Sequence, residues 1–154
     1  MQVTLERSNL LKSLNHVHRV VERRNTIPIP SNVLLRADGA SLEMKATDLD
    51  LEINEATPAM VERGGSTTVP AHLLYDIVRK LPEGGEVSLS TNAEGTSMSV
   101  VSGRSNFRLQ CLPQSDFPEL TAGTFSHSFR LPATSIRGLI DRTQFAISNE
   151  ETRY

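Results

Sequence analysis

A strand-then-helix pattern recurs three times in this chain, and it limits the fold more than any single residue does. Val3-Thr4-Leu5-Glu6-Arg7-Ser8-Asn9-Leu10-Leu11 opens the sequence. Thr67-Thr68-Val69-Pro70-Ala71-His72-Leu73-Leu74 stands near the middle, and Ser128-Phe129-Arg130-Leu131-Pro132-Ala133-Thr134-Ser135-Ile136 near the end. Each is a short alternating stretch, a polar or proline break, then the start of an amphipathic helix. A repeated unit of this size must pack against its neighbours to bury its apolar face, so repetition dictates architecture.

The first helix reads from Asn9 to Val21. Leu10, Leu14, Val17 and Val21 recur at helical spacing, Leu11 widens the stripe, and Ser8 is the expected N-cap. Lys12, His16, Arg19 and Arg23 repeat that spacing on another face. Such a stripe suits a phosphate backbone, and it equally suits a plain solvated surface. Asn25–Ser31 carries Pro28 and Pro30 and reads as loop or extended edge. Strands follow at Val33–Arg36 and Ser41–Ala46 around an Asp38-Gly39 turn, with a third over Leu49, Leu51 and Ile53.

The second unit repeats the plan. Its helix is predicted over Ala71–Leu81, with Leu74, Ile77, Val78 and Leu81 inward and Pro82-Glu83-Gly84-Gly85 as the stop. Three strands follow, marked by Val87 and Leu89, by Met98 and Val100, and by Phe107, Leu109 and Cys111. Residues 1–112 thus read as β-α-β-β-β twice: an α+β fold of two pseudo-equivalent halves, with hairpin-linked antiparallel strands and both helices on one face. Leu112–Thr124 is a connector. A third helix is expected at Ala133–Ala146 with Ile136, Leu139 and Ile140 on its apolar face. The expected domains are 1–125 and 126–154, the second a truncated beginning.

Charge is distributed unevenly. Residues 1–24 carry five basic and two acidic side chains, residues 36–62 two and seven, and residues 63–80 three and one. Helical segments are basic and the strand-rich stretch between them is acidic, although the net charge is −2. That distribution allows one-sided attraction to nucleic acid and is also compatible with ordinary surface charge. The lone Cys111 excludes an internal disulfide and a cysteine-rich zinc site. No apolar run approaches a membrane span and no signal-peptide core opens the chain, so the expected location is the cytoplasm, with no membrane partner.

Many short segments, in order, resemble one family. They are Val3–Leu14, Thr26-Ile27-Pro28-Ile29, Ala46-Thr47-Asp48-Leu49, Thr68-Val69-Pro70-Ala71 and Leu81-Pro82-Glu83-Gly84. Ser102-Gly103-Arg104-Ser105, Leu112-Pro113, Asp116-Phe117-Pro118 and Thr143-Gln144-Phe145 complete the set. Together they are similar to the bacterial sliding clamps, the β subunits of DNA polymerase III. The resemblance implies a DNA-clamp fold with sheets outside and helices on the inner face. It implies a head-to-tail dimeric ring around duplex DNA, a processivity factor without catalytic activity, metal or cofactor. Its partners would be double-stranded DNA without sequence preference, a second copy of itself, DNA polymerase III subunits and the clamp loader.

Residue by residue, the resemblance maps DNA-facing positions onto Arg24, Arg79 and Arg104, with Arg137 on the matching helix of the next domain. His72 stands where a basic residue occurs in other members. Asn106 also replaces a basic residue, with Arg108 nearby. Leu73, Ile77, Phe107 and Leu109 match the ring contact. Arg153 and Tyr154 match the approach to a partner-peptide pocket that this length of chain cannot complete. Pro30 departs from the family's usual aliphatic residue.

Two other readings stay open at this stage. A passive protein-interaction module would leave the basic helices merely solvated. A Cys/His hydrolase would use Cys111 with a remote histidine, but no nucleophile elbow or oxyanion motif accompanies it. His16 and His18 diverge on a helix and do not make a metal pair.

Overall fold

The computed structural model describes residues 1–21, 31–118, 120 and 125–147. The chain divides into two compact units, Met1–Leu120 and Thr121–Tyr154.

The first unit begins with β1 (Gln2–Glu6), whose Val3 and Leu5 point into the core, and continues directly into α1 (Arg7–Val17). A meander follows: β2 (Asn32–Asp38), β3 (Ser41–Thr47) and β4 (Glu52–Pro58). Then come β5 (Met60–Arg63), β6 (Gly65–Pro70) and α2 (Ala71–Lys80). The second meander is β7 (Glu86–Thr91), β8 (Ser97–Ser102) and β9 (Ser105–Gln110).

These strands form two antiparallel sheets in the orders β5-β1-β7-β8-β9 and β4-β3-β2-β6. The halves exchange their first strands. β1 closes the meander of the second half, with Leu5 opposite Val87, while β6 closes that of the first, with Val69 opposite Val33. The exchange extends one step further. Beyond β4 the chain crosses to pair β5 with β1, and beyond β9 Leu112 bridges to Thr68 on β6. Each half therefore supplies the strand that completes the other, which makes the pseudo-twofold unit a single cooperative body.

The helices pack on the sheets through matched faces. Leu10, Leu14 and Val17 of α1, and Leu74 and Val78 of α2 with Leu81 just beyond, are buried. They meet Leu35, Leu42, Met44, Leu89 and Met98 from the strands in one cluster. Burial of each such side chain contributes about 1.5–3 kcal/mol. α1 and α2 run antiparallel, because the start of each contacts the end of the other, as described below.

Several local expectations change. Ser8 is not the N-cap: α1 starts at Arg7, Glu6 takes the cap position without a side-chain cap bond, and the Ser8 hydroxyl donates to Glu6 Oε1 at 2.6 Å. α1 ends at Val17 and not Val21. Leu49 and Leu51 are not strand residues. Thr47 Oγ1 accepts from the Leu49 amide and Asp48 Oδ1 from the amides of Asp50 and Leu51. Those bonds turn the backbone tightly, place Leu49 at φ 83°, and leave both leucines exposed. Side chains that bond nearby amides compete in this way with a strand ladder. Cys111 is buried as expected, one residue past β9, and burial raises its thiol pKa.

In the second unit, α3 spans Ala133–Thr143 and runs into a short 3-10 turn at Gln144–Ala146. Ile136, Leu139 and Ile140 form the expected stripe, and all three are exposed. Ser128–Leu131 is not a strand, because none of the described residues pairs with it.

Candidate nucleic-acid interface

The antiparallel helix pair carries the exposed cations. Lys12 on α1 and Arg19 in the turn just beyond it face solvent, and among the described residues neither has a carboxylate within ion-pair distance. His16 differs: its Nδ1 lies 2.7 Å from Glu55 Oε1, which ties it to β4. Among the described residues the predicted basic stripe is thus two cations without a carboxylate partner, Arg19 donating to Asn15 Oδ1 at 3.4 Å, and one histidine held by an acidic strand. Arg23 and Arg24 lie outside the described residues, as do Pro30, Arg153 and Tyr154.

Arg79 sits in the last turn of α2, exposed, where a cation also favours the helix dipole. Asp76 Oδ1 lies 3.2 Å from its Nη2, and its guanidinium stands 5.6 Å from the centre of the Tyr75 ring. Tyr75 in turn stacks on His18, with ring centres 3.9 Å apart and planes 7° from parallel. Between the helices runs an open groove lined by Arg7, Ser8, Leu11, Lys12, Asn15, Tyr75 and Arg79. The fold therefore brings Lys12 and Arg79, which lie far apart in sequence, onto one surface.

The remaining positions stand on other elements. Arg104 is exposed in the β8–β9 turn, where Gly103 takes the left-handed φ of 56° that a tight turn needs. Arg137 is exposed on α3 with Asp141 3.6 Å from its Nε. Asn106 and Arg108 are exposed on β9.

His72 faces inward. Its Nε2 donates to the Val21 carbonyl at 2.7 Å, its ring meets His18 edge-on at 5.6 Å, and its Nδ1 is buried without a partner. A ring used to join two helices is not available to a phosphate, so His72 leaves the DNA-facing set.

Arg7 is the residue that the sequence reading passed over. Only 9% exposed, it donates from Nε to the Val78 carbonyl at 3.1 Å and from Nη2 to the Arg79 carbonyl at 2.7 Å. Its amide also donates to the Gly85 carbonyl at 2.9 Å. The signal was present: Arg7, Leu10, Leu14 and Val17 share one helical stripe, so a charge stands on the buried face.

The ring-contact positions divide by burial. Leu73 is 50% exposed on α2 and Phe107 40% on β9, while Ile77 is partly buried against the core. Leu109 is 1% exposed and opposes the buried Met98. It belongs to the interior and offers no surface to a partner, which corrects its assignment. β9 ends its sheet, and no described strand pairs with its outer side.

Among the described residues no group of three His, Cys, Asp or Glu side chains could hold a metal ion. No helix there is long and apolar enough to cross a membrane.

The family described as DNA polymerase III beta subunit, N-terminal domain, matches residues 1–121. The chain belongs to the DNA polymerase III β subunit family.

Its relatives agree along its whole length. The β sliding clamp of Caulobacter vibrioides is 50% identical over 154 residues, covering 100% of this chain and 41% of the relative. That of Escherichia coli K12 is 41% identical over 156 residues, covering 100% and 42%. The crystal structure of a DNA polymerase III subunit β from Bartonella birtlesii superposes with a TM-score of 0.91 at 56% identity, covering 100% and 41%. The chain spans about two fifths of the length of the curated relatives it matches. For a DNA polymerase III β subunit, the α+β fold of exchanged antiparallel sheets and a paired helix layer is the clamp fold.

Proposed function

We propose that this chain supplies a DNA-facing domain to a ring that encircles duplex DNA and tethers the replicative polymerase. The observation that carries the reading is the groove where Lys12 of α1 and Arg79 of α2 meet on the exposed helix layer. Cations on rigid helices attract phosphates without reading bases, and contact of that kind permits sliding. Arg19 and Arg104 extend the same role, Arg24 joins them from the family resemblance, and Arg137 does so from α3. The proposed role is mechanical and electrostatic, that of a processivity factor which itself promotes no bond change.

Ring closure draws on Leu73, Ile77, Phe107 and the open edge of β9. Exposed apolar side chains beside an unpaired strand edge suit a head-to-tail contact with a second copy. The polymerase subunits and the clamp loader are partners of the full-length ring, and the cytoplasm is where such a ring would work.

The test uses a protein of the relatives' length that carries this chain. DNA association is measured across salt concentration for the unaltered protein and for Lys12→Gln with Arg79→Gln. The reading expects weaker association and a salt slope shallower by about one to two. An unchanged slope at unchanged affinity removes the DNA-facing assignment.

A further inference from the structure

We infer that Arg7 is a positioning residue: it pins the end of α2 to the start of α1 and so sets where Arg79 stands across the groove from Lys12. The inference rests on the DNA-facing reading of that groove.

The last carbonyls of any α-helix lack intrahelical partners and carry the negative end of its dipole. In α2 two of them, Val78 and Arg79, accept from the Arg7 guanidinium, at 3.1 and 2.7 Å. Arg7 has no carboxylate partner among the described residues, so its buried charge is balanced by those carbonyls. A charged group this far from water is expensive unless it is fully bonded. That cost makes the contact specific: α2 cannot slide along α1 without stripping the guanidinium of its acceptors.

A second contact holds the other end of the pair. His72 in the first turn of α2 donates to the Val21 carbonyl beyond α1. Arg7 thus caps α2, and His72 ties α2 to the segment that follows α1. Arg7 acts where it matters for charge, because the residue whose carbonyl it holds is the exposed cation itself. Asp76 and Tyr75 orient the Arg79 guanidinium, and Arg7 fixes the backbone that carries it. Lysine keeps the charge at position 7 but lacks the planar fork that reaches two acceptors.

The test is a set of double-mutant cycles in the full-length ring, read as DNA affinity at fixed moderate salt. Arg7→Lys is expected to lower affinity about fivefold and to be non-additive with Arg79→Gln, while remaining additive with Arg104→Gln. Full additivity of Arg7→Lys with Arg79→Gln, or unchanged affinity in Arg7→Lys, overturns the inference. Should Arg7→Lys fail to fold, Arg7→Gln, which retains a planar donor, replaces it in the same cycles.

Failure of the underlying reading looks different. In that case Arg79→Gln and Arg104→Gln alone leave affinity unchanged. Hydrogen exchange at the Leu81 amide, which donates to the Val78 carbonyl, then decides the tie. Faster exchange in Arg7→Lys supports the pinning of α2, and unchanged exchange overturns it.

Discussion

Phe107 and Leu109 lie two residues apart on β9, opposite the buried Val100 and Met98, yet Phe107 is 40% exposed and Leu109 only 1%. One strand thus serves the core with one side chain and leaves the other uncovered. Leu109→Ala should destabilise the first unit by about 2–5 kcal/mol through transfer and cavity terms. Phe107→Ala should cost the isolated chain far less, about 1 kcal/mol, and instead weaken self-association of the full-length protein. Urea unfolding and sedimentation separate the two effects. Equal destabilisation of the chain by both changes would place Phe107 in the core as well.

His72 gives a sharp contrast with the cations. His72→Ala removes the bond to the Val21 carbonyl and should lower stability by about 1 kcal/mol. It should leave the salt slope of DNA association unchanged, because the ring faces the helix interface. A slope shallower by about one would return His72 to the phosphate-facing set.

Acid should act through Glu52. Burial raises its pKa, but hydrogen bonds from Asn54 and Lys45, the Lys45 charge and the Leu120 backbone amide outweigh it, and the folded-state pKa lies below the ordinary value of 4.5. A depressed carboxyl pKa stabilises the fold above the unfolded value, and that contribution is lost as pH falls through the folded one. Below about pH 4.5 the unaltered chain should therefore lose stability that Glu52→Gln has already forfeited. Thermal unfolding of both proteins between pH 3 and 6 checks this, and parallel curves would show that Glu52 contributes nothing.

Leu49 is held at φ 83° with its side chain exposed. Left-handed backbone is costly for leucine and tolerated by asparagine. Leu49→Asn should raise stability by about 0.5–1 kcal/mol, read as a higher urea midpoint at constant slope. A lower midpoint would mean that Leu49 contributes packing that outweighs its strain.

What could be read in the sequence was whatever depends on local period. Leu74, Val78 and Leu81 marked α2 correctly, and Val87, Leu89, Met98 and Val100 marked their strands. Leu49 and Leu51 misled, because apolar–acidic alternation looks the same whether the backbone is extended or turned by Thr47 and Asp48. Met60–Arg63 gave too short a pattern to reveal β5. The exchange of β1 and β6 is a long-range pairing on which no local spacing bears. At the candidate site, residue type and helical face revealed exposed Lys12, and the family resemblance supplied Arg79. They did not reveal the inward turn of His72, whose position on α2 was legible but whose partner, Val21, lies beyond the other helix. Arg7 was legible in principle, as a charge on a stripe of leucines.

The most direct measurement follows the full-length protein carrying this chain on nicked circular DNA, before and after the circle is cut. A ring is held by topology, so the account predicts slow loss from the circle and rapid loss once free ends exist. Loss at the same rate from circle and linear DNA would contradict it, and the helix layer would then be an ordinary charged surface.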